Sequence, residues 1–427
     1  MGPNTYKGET VTFERTQSAC SVDNQAPGVE DNPLGMAHEG SNLTGKLSEL
    51  AFLFLKLGTT AFGGPAAHIA MMEDEIVRRR QWLTREEFLD LVGATNLIPG
   101  PNSTELAIHI GYRRAGWAGL VVAGACFIVP AAILVTMLAW GYVKFGKLPK
   151  VEGVLYGIKP VIIVVVLQAL WGLGRSALKT WPLTALGVGA ALANVLGIHE
   201  LLLLFGAGLL VATIRGGFRG KVVKGATPLL AAAPALPWAT VVAPTTAGAT
   251  SIGLWPMFLF FLKVGSVLFG SGYVLLAFLR SDLVERWHWL TEGQLLDAIA
   301  VGQFTPGPVF TTATFIGYLL AGLLGATLAT LGIFLPAFLF VAISAPFVAR
   351  LRRSPFAGGF LDGVNVASLA LMAVVTWQLG RTALVDWLTG VLASLSAILL
   401  LRFRVNSAWL VLGGAMLGLL YSLWRPI

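Results

Sequence analysis

The chain has 427 residues, of which 56% are hydrophobic and only 12% charged. A soluble protein carries about 25% charged residues, so a soluble globular fold is excluded. The net charge of +8 comes from Lys and Arg placed mostly in short connections between apolar runs, a pattern that sets membrane topology and offers no nucleic-acid surface.

Residues 1–45 are polar, rich in Asn, Thr, Ser, Gly and Glu, and lack the apolar core of a cleaved signal peptide; a disordered tail is expected there. An apolar stretch follows at 47–71, then a charged loop at 73–87, then the stretch 88–111, broken in its middle by Pro99-Gly100-Pro101. Four more apolar runs come at 116–140, 153–174, 181–197 and 199–214. The run from Trp117 to Trp140 has no charge, and 154–173 contains only Lys159, so both reach the ~18 residues of a spanning helix. The two cysteines, Cys20 and Cys126, make no disulfide framework, and the five histidines make no metal motif. No metal or other cofactor is expected.

The chain then repeats itself. Phe54-Leu55-Lys56-Leu57-Gly58 returns 207 positions on as Phe261-Leu262-Lys263-Val264-Gly265, Trp82-Leu83-Thr84 as Trp289-Leu290-Thr291, and Pro99-Gly100-Pro101 as Pro306-Gly307-Pro308. After one deletion the register continues at 206, with Ile110-Gly111-Tyr112 matching Ile316-Gly317-Tyr318 and Leu173-Gly174-Arg175 matching Leu379-Gly380-Arg381. The organisation expected is a tail (1–45), a first transmembrane repeat (46–214), a linker that is basic and then rich in Ala and Pro (215–253), and a second repeat (254–427).

Two topologies fit. If the Pro-Gly-Pro stretch crosses the bilayer, each half has six spans and the halves point the same way; if it dips in and returns, the halves are inverted. The re-entrant form gathers Arg78 to Arg80, Arg113, Arg114, Arg175, Lys179 and the basic linker on one side. In half two the counterparts of Arg113 and Arg114 are Leu319 and Leu320, as inversion requires, although Lys144, Lys147 and Lys150 fall on the outer side. The fold class expected is an all-α polytopic membrane protein of two inverted repeats, each with about five spans plus a broken re-entrant segment.

Tandem Pro and Gly inside an apolar stretch free backbone groups that lipid cannot satisfy, so such breaks face protein or a watery cavity. A helix restarting after Pro101 or Pro308 points its positive end inward, ready for an anion. Candidate substrate ligands are therefore Asn96, Pro99, Gly100, Pro101, Asn102 and Ser103, with Gln303, Thr305, Pro306, Gly307 and Pro308 in the second half. A packing kink without a ligand is the alternative. A second break, at Phe62, Gly63 and Gly64 and again at Phe269 and Gly270, suits either close approach to a ligand or helix packing. Lys56 and Lys263 lie within the same stretches, at a cost on the order of 2.5–3.5 kcal/mol for a charge at that depth. They form either a cationic pair that attracts a divalent anion or lysines that snorkel to the interface.

Asn102, Glu105 and His109 are spaced three and four apart and share one helix face, while half two has no titratable group at the matching positions. An anion site can thus draw on both halves, but proton coupling falls to Glu105 and His109 of half one, unless these two form a structural hydrogen bond. Asp90 and its counterpart Asp297 are expected to cap or to pair with loop arginines, and Glu73-Asp74-Glu75 to be a solvated cluster paired with Arg78 to Arg80.

Phe62-Gly63-Gly64-Pro65-Ala66-Ala67-His68, then Arg78 to Leu83, then Pro99-Gly100-Pro101-Asn102-Ser103-Thr104-Glu105 resemble the signature of the chromate ion transporter family, in its long, two-domain form. The resemblance implies efflux of chromate across the bacterial inner membrane, linked to the proton motive force. Half two departs from it: Ser271-Gly272 replaces Gly64-Pro65, and no acid stands where Glu105 does. The partners implied are a chromate or sulfate-like oxyanion, protons and the lipid bilayer, with no nucleic acid; a homodimer stays open. Chromate and sulfate are both tetrahedral dianions, and nothing in the sequence separates them; another oxyanion, or a channel for small anions that needs neither Glu105 nor His109, stays open. An enzyme is not expected, since G-x-S-x-G and H-E-x-x-H are absent, and the lack of a P-loop excludes a nucleotide-driven pump in this chain alone.

Overall fold

A computed structural model describes residues 35–62, 64–146, 148–217, 253–269, 274–345, 355–403 and 405–424. Leu43–Ile427 form one compact unit. The described residues are helical and contain no strand. Half one holds α1 (Gly35–Thr60), α2 (Gly64–Glu73, prolonged by a π-helical turn Asp74–Arg79), α3 (Arg85–Thr95), α4 (Asn102–Phe145), α5 (Pro149–Ala177), α6 (Trp181–Val195) and α7 (Glu200–Gly217). Half two repeats the set as α8 (Leu254–Val267), α9 (Leu275–Phe278, prolonged by Leu279–Arg286), α10 (Glu292–Phe304), α11 (Thr312–Ser344, entered through the 3-10 turn Val309–Thr311), α12 (Pro355–Ala383), α13 (Trp387–Arg402) and α14 (Ser407–Trp424). Each helix of half one has its counterpart seven labels on. Among the described residues α4, α5, α11, α12 and α14 are long and apolar enough to cross a bilayer.

The duplication reaches the helix caps. Thr84 and Thr291 each accept the N–H three residues ahead, while Glu87 and Gln294 reach back to the capping residue's own N–H. The broken stretches then fold back. α3 runs about 14 Å from Glu87 to Asn96 at 1.5 Å per residue, near half of the ~30 Å hydrocarbon core. The chain turns at Pro-Gly-Pro and the first arm of α4 returns, placing Arg113 Nη2 3.4 Å from Glu87 Oε1. The Arg114 guanidinium lies 4.7 Å from the Trp82 ring centre and pairs with Glu49 at 3.0 Å. Both ends of the stretch therefore lie on one face, here the first face, and the segment is re-entrant.

α4 itself is two arms. Ala115 (φ −145°) and Gly116 (φ +59°) reverse the chain, as Ala321 (φ −148°) and Gly322 (φ +61°) do in α11. The positive φ is open to glycine at little cost. Across each turn two glycines touch, Gly111 on Gly119 and Gly317 on Gly325, so the arms lie side by side. The second arm of α4 runs on the order of 40 Å, enough to cross.

The break inside the first apolar stretch also turns the chain. Lys56 of α1 meets Glu75, just past α2, at 2.8 Å, and Leu50, Leu53, Phe54 and Leu57 share a core with Met72 and Ile76. α1 and α2 thus lie antiparallel, with Ala61 and Phe62 at the tip.

Pairs across the halves set their relative sense. Near the far end of α4, Tyr142 donates to Asp297, close to the start of α10, at 2.9 Å. Tyr156, near the start of α5, donates to Asp386 and stacks on Tyr421 at the end of α14. On the first face, Lys179 after α5 and Arg215 at the end of α7 both pair with Asp362 near the start of α12. The hairpins of half two therefore enter from the opposite, second face, and the two repeats are inverted. Close glycine contacts bind them: α5 packs on α14 through Gly157, Gly414 and Gly418, and α12 packs on α7 through Gly363 and Gly208.

Candidate functional site

The four hairpin tips meet inside the bundle, and they meet crosswise. The Gly100 N–H donates to the Leu268 carbonyl at 2.6 Å, and the Gly307 N–H donates to the Ala61 carbonyl at 2.9 Å. Each Pro-Gly-Pro tip of one half is thus fastened to the first break of the other, with the glycines at φ +140° and +93°. Pro101 and Pro308 precede the restarting helices, and neither supplies a side-chain cap. Two positive helix ends therefore open into one place, reached by hairpins that enter from opposite faces.

Polar groups around the tips fall into two sets. Some already have partners. His68 is buried and ties Ser103 Oγ (3.3 Å) to the Ala61 carbonyl (3.1 Å). Asn102 donates to Asn96 at 2.7 Å, and Asn96 donates to the Val92 carbonyl. Thr305 donates its hydroxyl to the Val301 carbonyl, which leaves it no proton to offer an anion. Others have none. The Gln303 amide nitrogen, the Thr104 hydroxyl, both Glu105 oxygens and His109 Nε2 are buried without a hydrogen-bond partner. Glu105 is fully buried, with its carboxyl directly against the Cα of Gly100, where a Cβ would collide with it. His109 lies one turn further on, also buried, and no hydrogen bond joins it to Glu105. A structural Glu–His bond is therefore not what holds these two groups.

The two lysines are already engaged. Lys56 pairs with Glu75 and Lys263 with Asp282, at 2.8 and 2.9 Å, so each lysine already has a carboxylate. Glu75 is buried, not part of a solvated cluster; the Lys56 ammonium donating to it holds its carboxyl below the usual range. Phe62 is exposed, while Phe269 packs edge-on against Phe360. Gly64 is buried with φ +77°, and Gly63 and Gly270 fall outside the described residues. Asp297 does not meet loop arginines as expected: it is buried between Tyr142 and Lys159 of half one. A cavity of about 380 Å³ on the second face is lined by His199, Arg280, Asp282, Glu285, Arg286 and Gln378. Its arginines are paired with acids, so it offers no surplus positive charge.

Sequence reasoning missed the carbonyl acceptors at Ala61 and Leu268, and the acids that answer the two lysines. The second had a signal: Glu75 and Asp282 recur 207 apart, as Lys56 and Lys263 do, so acid and base were duplicated together.

Crossed re-entrant hairpins in an inverted, helical bundle define a multi-pass membrane protein. The chromate transporter family matches residues 48–212 and again 255–419, and the chain belongs to that family. It is 33% identical over 399 residues to the chromate transport protein of Cupriavidus metallidurans, covering 90% of this chain and 95% of that one. It is 33% identical over 356 residues to a probable chromate transport protein of Synechococcus elongatus, covering 82% and 90%. The chromate transport protein of Pseudomonas aeruginosa is 33% identical over 334 residues, covering 77% and 80%. No solved structure matches the chain.

Proposed function

We propose that this protein carries chromate out of a bacterial cell across the inner membrane and draws on the proton motive force. The observation that carries the proposal is the crossed meeting of the tips, beside which the chain restarts uncapped at Asn102 and Val309 and a fully buried, unpartnered carboxyl, that of Glu105, lies against Gly100. Arg78, Arg79, Arg80, Arg113, Arg114, Arg175, Lys179 and Arg215 gather toward the first face, which is assigned to the cytoplasm. A dianion leaving a cell that is negative inside gains about 4.6 kcal/mol per 100 mV, twice the ~2.3 kcal/mol of a single charge. The electrical part of the gradient is therefore enough to drive export.

Glu105 adds a condition. A carboxylate against the tip repels a dianion, whereas the protonated acid does not. The Glu105 carboxyl is protonated while the anion is bound, and His109, one turn on, relays that proton back to the side it came from, so the charge moved remains that of the dianion. The anion itself is held by the helix ends at Asn102 and Val309 and by the free Gln303 amide. The names of the relatives favour chromate over sulfate.

Uptake of labelled chromate into everted vesicles is the test. Uptake that falls with a protonophore and that excess sulfate blocks only weakly is expected. Vesicles that contain the folded protein and take up sulfate but no chromate would overturn the substrate.

A further inference from the structure

The two halves are related by sequence but do not sit alike. α10 of half two packs against α5, α4 and α14. Its counterpart α3 makes no comparable contact with α12, α11 or α7 among the described residues. Leu296 on α10 is 1% exposed, while Leu89, the same position on α3, is 48% exposed. Asp297 is buried and Asp90 is exposed. The neighbouring hairpins agree: Ala277 is buried, and its counterpart Ala70 is exposed. The hairpins of half two are closed onto the spans of half one, and those of half one stand away from the spans of half two.

What closes the second face is a polar lock across the repeats. Tyr142 Oη donates to Asp297 Oδ2 at 2.9 Å, Lys159 Nζ lies 3.2 Å from Asp297 Oδ1, and the Tyr142 ring packs on Phe315 at 5.3 Å. Tyr142 and Lys159 belong to crossing helices of half one, and Asp297 to a re-entrant helix of half two. The repeat does not supply the same lock twice. At the positions matching Tyr142 and Lys159, 206 further on, stand Val348 and Asn365. The acid was kept in both halves, the phenol and the ammonium in one.

We infer that Tyr142, Lys159 and Asp297 form the gate of the second face, and that the structure is the state open toward the first. These are positioning residues, which set access to the tips without touching the anion. The inference deepens the transport proposal and rests on its alternating access, though not on the identity of the anion. In the opposite state α3 closes onto α11 and α12 and brings Asp90 to Asn365. That contact has an amide in place of an ammonium and no phenol, so it is the weaker of the two. The inequality sets the resting state: the carrier waits open on the first face, the loading side for export, and a bound anion shifts it.

Single cysteines replace Leu89 and Leu296 in protein whose own Cys20 and Cys126 are changed to Ser and Ala, and a membrane-impermeant maleimide reports access. Leu89→Cys is expected to label from the first face and Leu296→Cys to be protected. Adding Asp297→Asn, or the milder Tyr142→Phe, is expected to raise Leu296→Cys labelling at least several-fold and to lower that of Leu89→Cys. The double change Asp297→Lys with Lys159→Asp is expected to restore protection, which separates a gate from general loosening. Labelling of Leu296→Cys that stays low when the lock is cut, or Leu89→Cys that is already protected, overturns the gate. The readout needs no substrate, so a failure of the chromate assignment leaves it intact.

Discussion

At the scale of single residues the proposed mechanism rests on Glu105. It is a buried carboxyl without a partner, against the glycine of the first Pro-Gly-Pro turn. If its protonation admits the anion, chromate flux rises as pH falls. Glu105→Gln, permanently neutral, should then keep flux and lose its pH dependence over the tested range. A variant whose flux follows pH like the parent would remove Glu105 from the mechanism. The lysines behave differently. Lys263→Met leaves Asp282, only 5% exposed in its side chain, with just the longer 3.7 Å contact to Arg286, at an expected cost of roughly 3 kcal/mol. Lys56→Met should cost less, because the Lys56 side chain is 48% exposed and water screens the pair. Thermal unfolding in detergent measures both; equal losses would contradict the ranking. Because the Glu75 carboxyl is held low, the Lys56 pair contributes in full above the carboxyl's ordinary pKa. Its contribution disappears as pH falls through the lowered one. Lys56 and Lys263 are visible in the sequence as costly charges. Their partners were hidden because the answering acids lie 19 positions on, across a break whose reversal no local pattern announces.

Helical hairpins are the working elements, and glycines set their shape. At Gly322 an added Cβ meets open space, so Gly322→Ala costs only the left-handed conformation, about 1–2 kcal/mol. At Gly325 an added Cβ meets the Gly317 carbonyl, and the arms of α11 must part. Gly325→Ala should therefore lower transport at equal expression more than Gly322→Ala does. The reverse order in the same vesicle assay would show that the arms need not touch. The Pro-Gly-Pro breaks and the chain reversal after Arg114 were legible from the residues, because proline, glycine and a basic pair interrupt an apolar run. In half two Leu319 and Leu320 replace the basic pair, and only the repeat itself marks the turn. The fold-back at Ala61 was seen as a break but not as a reversal, since small residues within a span serve straight packing equally well.

At the largest scale the unit Leu43–Ile427 is an inverted duplication whose tips cross. Inversion was legible in the distribution of Arg and Lys, since topology is written in loop charge. The crossing of Gly100 to Leu268 and of Gly307 to Ala61 was not, because backbone donors and acceptors leave no trace in side-chain identity. Nor was the unequal closure of the halves, which depends on Tyr142 and Lys159 lying far from Asp297 in the chain. The central claim is that the anion sits where the four tips meet. Chromium is a strong anomalous scatterer and marks its own position. Diffraction from crystals soaked in chromate, recorded on both sides of the chromium absorption edge, is predicted to place one peak between Gly100 and Gly307, within reach of the Gln303 amide. A peak found only at the arginine-lined cavity of the second face, around Arg280 and Arg286, would contradict it.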